Sequence, residues 1–287
     1  MSHILRRNGV RFGGHFLGAP DVSMVPIRLA ERSLSRPIEI VHWFQAWNDG
    51  DRQCFSPVWF ERIGWRLPLV TWEPWAPGCG VEQPAYRLSD IAGGRYHGYV
   101  SRWAAAAAAY GRELYLRPMH EFNGNWYPWC GGVNGNTPDD FIRAWHYLRR
   151  VFAEAGAENV RWVWAANADD VPYDNYLESY YPGDAAVDIL ALDGYSAAEV
   201  EGMSWRSFHH LFRQPYERLC RLGGQPVWIT ETACGLDGGS KLNWVAGMLG
   251  ALPEMPRIEA ICWFDLKKET DWRLTEDAEA ARMLRYG

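Results

Sequence analysis

Val187-Asp188-Ile189-Leu190-Ala191-Leu192 is an almost uninterrupted apolar run, too short for an independent helix. Such a run suits a strand covered on both faces, as in a parallel sheet wrapped by helices. Ile38-Glu39-Ile40-Val41-His42-Trp43-Phe44 carries the same signature. Working outward from these two, the sequence predicts further strands at Val10–Phe16, Leu67–Trp72, Glu113–Arg117, Val160–Ala165, Pro226–Thr230 and Ile258–Trp263, eight in all.

Most of the gaps read as helices. Gly98–Tyr110 contains Ala104 to Ala109, a strong helix former. Thr137-Pro138-Asp139-Asp140 has the chemistry of a helix start. Thr can cap, Pro suits the first turn, and the acids favour the positive end of the dipole. That helix is predicted through Phe141, Ala144, Trp145 and Leu148 to Ala155, with others at Ser204–Leu222, Gly239–Leu249 and Thr275–Leu284. Strand-helix alternation repeated about eight times predicts the α/β class and a single (β/α)8 TIM barrel rather than a doubly wound sheet. No repeat, low-complexity tract or linker divides residues 1–287.

Composition narrows the partners. The net charge is -6 and no basic run occurs, which argues against nucleic acid and anionic membrane. The chain has 17 Trp, 14 Tyr and 11 Phe. A flat apolar ring with a polar edge matches the C–H face of a pyranose, although many of these rings must fill the core. The six cysteines form no C-x-x-C pair, so no zinc or redox motif is expected, and their irregular spacing admits buried free thiols as readily as disulfides. Met1–Phe16 lacks the apolar region of a signal peptide, and no apolar run reaches spanning length. A monomer without cofactor or metal is expected.

Active groups of a barrel stand at the C-terminal ends of its strands. Acids and aromatics collect there: His42-Trp43-Phe44-Gln45, Trp72-Glu73-Pro74-Trp75, Arg117 to Trp126, Asn167 with Asp169 and Asp170, Asp193-Gly194-Tyr195, Glu231-Thr232, and Trp263-Phe264-Asp265. Glycoside cleavage needs one carboxylic acid to protonate the leaving oxygen and a second carboxylate to attack the anomeric carbon or activate water. Glu121 after strand four and Glu231 on strand seven fit that pair, facing each other across the barrel mouth. A retaining pair stands about 5–5.5 Å apart. Glu73 and Asp265 suit sugar hydroxyls or structural ion pairs, and Trp75 suits a subsite wall or the core.

Arg117-Pro118-Met119-His120-Glu121-Phe122-Asn123-Gly124-Asn125-Trp126-Tyr127-Pro128-Trp129 resembles the acid/base segment of glycoside hydrolase family 26, and Trp228-Ile229-Thr230-Glu231-Thr232 resembles its nucleophile strand. That family holds β-mannanases, mixed-linkage β-glucanases and some β-xylanases, all retaining barrels. The resemblance implies Glu121 as acid/base and Glu231 as nucleophile. It implies His120 hydrogen-bonding near the cleavage-site sugar, and Tyr195 donating to the nucleophile. It further implies Trp126 stacking a sugar, Trp263 flooring the site, and Arg117 supporting the glutamates. The implied substrate is a β-linked polysaccharide, a β-mannan or mixed-linkage β-glucan. The segment Trp126-Tyr127-Pro128-Trp129 followed by a Gly/Asn loop departs from the mannanase pattern, which leaves room for a bacterial exopolysaccharide or β-1,3-xylan.

Three other readings compete. A glycan-binding barrel would not need both glutamates. A phosphate-handling barrel would use the glycine-bearing loop Ala233 to Gly239, but an Asp lies in it and no Lys precedes 241. A metal hydrolase would need a His/Asp cluster, and the eight His are scattered.

Overall fold

The computed structural model describes residues 9–285. The first eight residues, half of the stretch read above for a signal segment, lie outside the described residues. Eight parallel strands close into a barrel in sequential order. They are β1 (Arg11–Phe16), β2 (Ile40–Ala46), β3 (Leu67–Glu73), β4 (Leu114–Pro118), β5 (Val160–Asn167), β6 (Ile189–Ser196), β7 (Val227–Cys234) and β8 (Ile258–Asp265). The expected strands are all present. Several run on at their C-terminal ends, so Tyr195 and Asp265 lie within strands rather than after them.

The helices are α1 (Val25–Leu34), α2 (Pro57–Arg62), α3 (Leu88–Ala92), α4 (His97–Tyr110), α5 (Pro138–Glu154), α6 (Phe208–Leu222), α7 (Lys241–Ala251) and α8 (Ala278–Arg285). Thr137 caps α5 as expected: its side chain accepts from Asp140 N, and Asp140 answers to the Thr137 backbone in a capping box. α6 starts later than expected. Ser207 is its cap, while Arg206 is held extended by the Ser196 hydroxyl, which bonds both its N–H and its carbonyl. The alternation also breaks once: between β5 and β6 the described chain makes only 3-10 turns, at Leu177–Tyr180 and Asp184–Ala186. No helix of the described residues is long and apolar enough to cross a membrane.

Strand parity sorts the side chains, because successive residues face opposite sides. Ile40, Leu69, Tyr115, Val163, Ala191, Trp228, Ala260 and Cys262 form one apolar cluster filling the lower barrel. Residues of the other parity, among them Trp43, Trp72, Trp164 and Trp263, join the larger core between sheet and helices. Most of the tryptophans are core residues of this second kind, so the composition argument for sugar binding was weaker than it looked. The six cysteines are unpaired, and Cys130, Cys234 and Cys262 are buried.

Candidate active site

Above the apolar layer the inward-facing positions turn polar. His42, Thr71, Arg117, Asp193 and Thr230 form a buried layer around Arg117, which is 0% exposed. The guanidinium donates from Nε to Thr71 Oγ1 at 2.8 Å and from Nη1 to Asp193 Oδ2 at 2.5 Å. Its Nη2 donates to Glu231 Oε1 and lies 3.2 Å from His42 Nε2. That His42 nitrogen therefore accepts, and burial with the Arg117 charge holds the imidazole well below its ordinary pKa. Thr230 donates to Asp193 Oδ1 at 2.6 Å.

Thr230 and Glu231 are neighbours in sequence, yet both point into the barrel. The register explains this. Asp193 pairs with Glu231 while Leu192 pairs with Ile229, so β7 carries one extra residue there, and its pairing with β8 shifts over the same stretch. This β-bulge re-aims Glu231 to the inner side, where strict alternation would turn it out. Glu231 then takes Arg117 on Oε1 and the Tyr195 hydroxyl on Oε2, the latter at 2.5 Å. These two donors match its negative charge.

Glu121 arrives by a different device. Met119 and Glu121 both have φ of 52°, left-handed backbone in non-glycine residues. The surroundings hold this turn: Glu121 N donates to Ala165 O at 2.9 Å, Trp129 Nε1 to His120 O at 2.6 Å, and Cys130 Sγ to Glu121 O at 3.3 Å. Asn123, 0% exposed, pins the turn to β5 by donating to Asn167 O and Asp170 Oδ1 at 2.9 Å and accepting from Asn167 N at 2.8 Å. Asn123→Ala is expected to cost about 2–4 kcal/mol of stability, because buried backbone groups lose their partners. The denaturant midpoint measures it, and an unchanged midpoint would remove this role. Gly124 lets Trp126 fold back: a Cβ there would sit 2.6 Å from the indole. The indole N–H donates to Glu121 Oε2 at 2.7 Å.

Glu121 and Glu231 line one cleft of about 500 Å³, together with His15, Phe44, Glu73, Trp75, Trp126, Tyr127, Tyr195, Phe264 and Trp272. This size is ordinary for a ligand pocket. Burial, then the charges of Asp193 and Glu231, push the Glu121 carboxyl well above the usual carboxylate range. Burial also pushes Glu73 up to about 8, against the pull of the Trp75 indole 3.3 Å from its Oε2. Asp193 is raised to about 7 by burial, with Arg117 opposing. Arg117 donates to Asp193 and Glu231, whereas Glu121 has the neutral Trp126 indole as its donor.

Trp75, Glu73, Trp126 and Tyr195 line the cleft. Two expectations need correction. Trp263 is 1% exposed, packs edge-on against Trp244 of α7, and donates to Trp272 O at 2.8 Å. Its parity faces it away from the barrel, so Phe264 and Trp272 border the cleft instead. Asp265 has the same outward sense of parity as Trp263. It accepts from Leu274 N, Thr275 N and the Thr275 hydroxyl, so it ties down the last loop and has no place in the cleft. His120 is buried against Tyr127, Trp129 and Phe44, with a ring nitrogen within 4.8 Å of a Glu231 oxygen. Its Nδ1 has no hydrogen-bond partner among the described residues. Asp169 and Asp170 pair with Arg206 and Arg218.

His15, Tyr127, Trp272 and Asp193 were missed as site residues. His15 and Asp193 share the inward parity of their strands, a signal available from alternation, and Tyr127 stands inside the quoted motif. Trp272 comes from a loop and left no signal.

His120, Asp193 and Glu231 each bring a ligand-type atom within 4.8 Å of the others, but Arg117 is already bonded to both carboxylates, and its charge opposes a metal ion there. The glycine-bearing loop after β7 does not offer its amides to phosphate: Leu236 N and Asp237 N donate to Glu199.

Residues 97–219 match the model of glycosyl hydrolase family 26. Endoglucanase H of Acetivibrio thermocellus is 32% identical over 280 residues, which is 95% of this chain and 30% of that protein. Mannan endo-1,4-beta-mannosidase A and B of Caldalkalibacillus mannanilyticus is 36% identical over 91 residues, 30% of this chain and 17% of that protein. The chain therefore spans less than a third of the length of either relative. Among solved structures, the YdhT protein from Bacillus subtilis superposes with a TM-score of 0.72 at 18% identity, covering 99% of this chain and 88% of that one. A β-mannanase from Bacteroides ovatus gives 0.70 at 17%, covering 99% and 90%. At such identities the superpositions speak for the shared barrel alone. The sequence match spans the β4 turn that carries Glu121, and the longer alignment takes in Glu231 as well; over residues 97–219 this chain is similar to glycosyl hydrolase family 26.

Proposed function

We propose that the chain is the catalytic barrel of a retaining endo-β-glycanase that hydrolyses β-1,4 linkages by double displacement. One observation carries the reading: two buried glutamates share a cleft with opposite surroundings, Glu231 bonded by Arg117 and Tyr195, Glu121 raised by burial and by negative neighbours. The first is suited to attack and the second to give a proton. Glu121 protonates the glycosidic oxygen as a Glu231 oxygen bonds to the anomeric carbon. The C–O bond breaks and the leaving sugar departs with that proton. Glu121, now a carboxylate, takes a proton from water, and the hydroxide displaces Glu231 from the glycosyl ester. Two inversions restore the β configuration. Glu73, Trp75 and Trp126 hold the sugars, and His120 shapes the wall beside Glu231.

Mixed-linkage β-glucan is favoured over β-mannan, because the relative named as an endoglucanase matches across 95% of the chain and the named mannosidase across 30%. Reducing-sugar release should be fastest on barley β-glucan, slower on β-mannan and slowest on β-1,3-xylan. Proton NMR of the first product should show the β-anomer. No release from any of the three would favour a barrel that only binds glycan, and an initial α-anomer would exclude double displacement.

Trp126→Phe tests the acid. The indole N–H stabilises the Glu121 carboxylate and so lowers its pKa. Its removal should raise that pKa further, so the basic limb of the kcat/KM profile should move to higher pH, by about one unit. A shift to lower pH would contradict Glu121 as the proton donor.

A further inference from the structure

The missing helix between β5 and β6 leaves α6 without a helical neighbour on that side. Gln214, Arg218 and Arg221 stand on one face of α6 at helical spacing. Together with the β5–β6 connection they bound a groove of about 640 Å³, which Tyr173 and Tyr176 also line. None of its lining residues lines the cleft that holds the two glutamates.

The floor of the groove is fixed. Arg218 donates from Nε to Glu178 Oε1 and from Nη2 to Asp170 Oδ2, both at 2.7 Å. Asp170 accepts from Leu177 N at 3.1 Å, and Asn175 donates to Gly124 O at 3.2 Å. The connection is thereby tied to α6 on one side and to the Glu121 turn on the other. The walls carry unused chemistry. Tyr173 is 82% exposed and Tyr176 52%. Their hydroxyls, the Gln214 amide and the Arg221 guanidinium make no hydrogen bond or ion pair among the described residues. The one other exposed Trp, Tyr or Phe among the described residues is Trp65, which precedes β3 and so lies at the opposite end of the barrel.

Charge narrows the ligand. Asp169, Asp170 and Glu178 are matched by Arg206, Arg218 and Arg221, three of each sign. A polyanion or a polycation meets no net field there. Apart from Ala168 and the two rings the lining is polar, which disfavours the apolar core of a protein interface. Bare rings beside an unpaired amide and an unpaired guanidinium suit a neutral polyhydroxy ligand: C–H faces on the rings, hydroxyls on the planar polar groups.

We propose that the groove between the β5–β6 connection and α6 is a second polysaccharide-binding site outside the cleft, with Tyr173 and Tyr176 stacking sugar rings and Gln214 and Arg221 bonding their hydroxyls. This rests on the glycanase reading above for the identity of the polymer, and adds a second point at which the chain holds it.

The double variant Tyr173→Ala, Tyr176→Ala tests it, at positions exposed enough to spare the fold. In native gels containing barley β-glucan or, in parallel, β-mannan, the native protein should be retarded, and the double variant should need about fivefold more polymer for the same retardation. On the polymer that is cleaved, KM should rise by a similar factor with kcat unchanged. Rates on nitrophenyl β-glycosides, which are short enough to fill the cleft alone, should stay as they are. Tyr173→Phe with Tyr176→Phe keeps the rings and should retain most of the affinity, and Trp65→Ala should retain all of it. If the double alanine variant is retarded like the native protein, or if its rates on the short glycosides fall as well, the groove is not a second polysaccharide site. If the native protein cleaves neither polymer, the glycanase reading falls, while the gels decide the groove by themselves.

Discussion

Glu231→Ala is expected to lower polysaccharide hydrolysis by about ten-thousandfold or more, with the fold intact. The stability expectation follows from the charge balance. Arg117 keeps Asp193 at 2.5 Å after Glu231 is gone, so one buried cation still faces one buried anion. Glu121→Ala should be as damaging on polysaccharide but should spare the first step on dinitrophenyl glycosides, whose leaving group departs without a proton. Added azide, which needs no general base, should then restore turnover in that variant as a glycosyl azide. The comparison assigns the roles: a Glu231→Ala protein that keeps its burst of dinitrophenol, or a Glu121→Ala protein that loses it, would exchange them.

Arg117→Met should be the most destabilising single change in the barrel mouth, costing about 3–5 kcal/mol. Removing the guanidinium leaves Asp193 and Glu231 facing each other without a cation, and strips partners from Thr71 and His42. The pH dependence gives a sharper test than the magnitude. Burial already raises Asp193 to about 7, and removing the Arg117 charge that opposes this raises it further. The loss is then greatest where Asp193 is ionised in the fold, and it shrinks as pH falls through its raised pKa and protonation relieves the repulsion. Urea unfolding at mildly alkaline and mildly acidic pH should show the gap from the native chain narrowing toward acid. A gap independent of pH would mean that lost packing, not uncompensated charge, is the cause.

Much of the barrel could be read from short-range pattern. The buried strand runs at 38–44 and 187–192, the Thr137 cap and the Ala-rich α4 each follow from local rules that the tertiary structure does not override. Alternation could have gone further. It puts His42, Arg117, Asp193 and Phe264 inside and Trp43, Trp72 and Trp263 outside. An aromatic at a strand end is therefore weaker evidence for a sugar site than the same aromatic at an inward position.

The two glutamates show where local rules stop. The sequence by itself determined the parallel strands, the polar layer at their upper ends, and the family to which the His120-Glu121-Phe122-Asn123-Gly124 segment belongs. By parity, however, Glu231 belongs outside, because Trp228 and Thr230 already face in. Only pairing with β6 and β8 inserts the extra residue that turns it toward Arg117. Glu121 likewise depends on a left-handed turn that no local preference supplies and that Ala165 and Asn167 of β5 hold, through Glu121 N and the Asn123 side chain. Strand register and a strained turn are both set by contacts distant in sequence, so the residue types of the site were legible while their convergence was a property of the closed barrel.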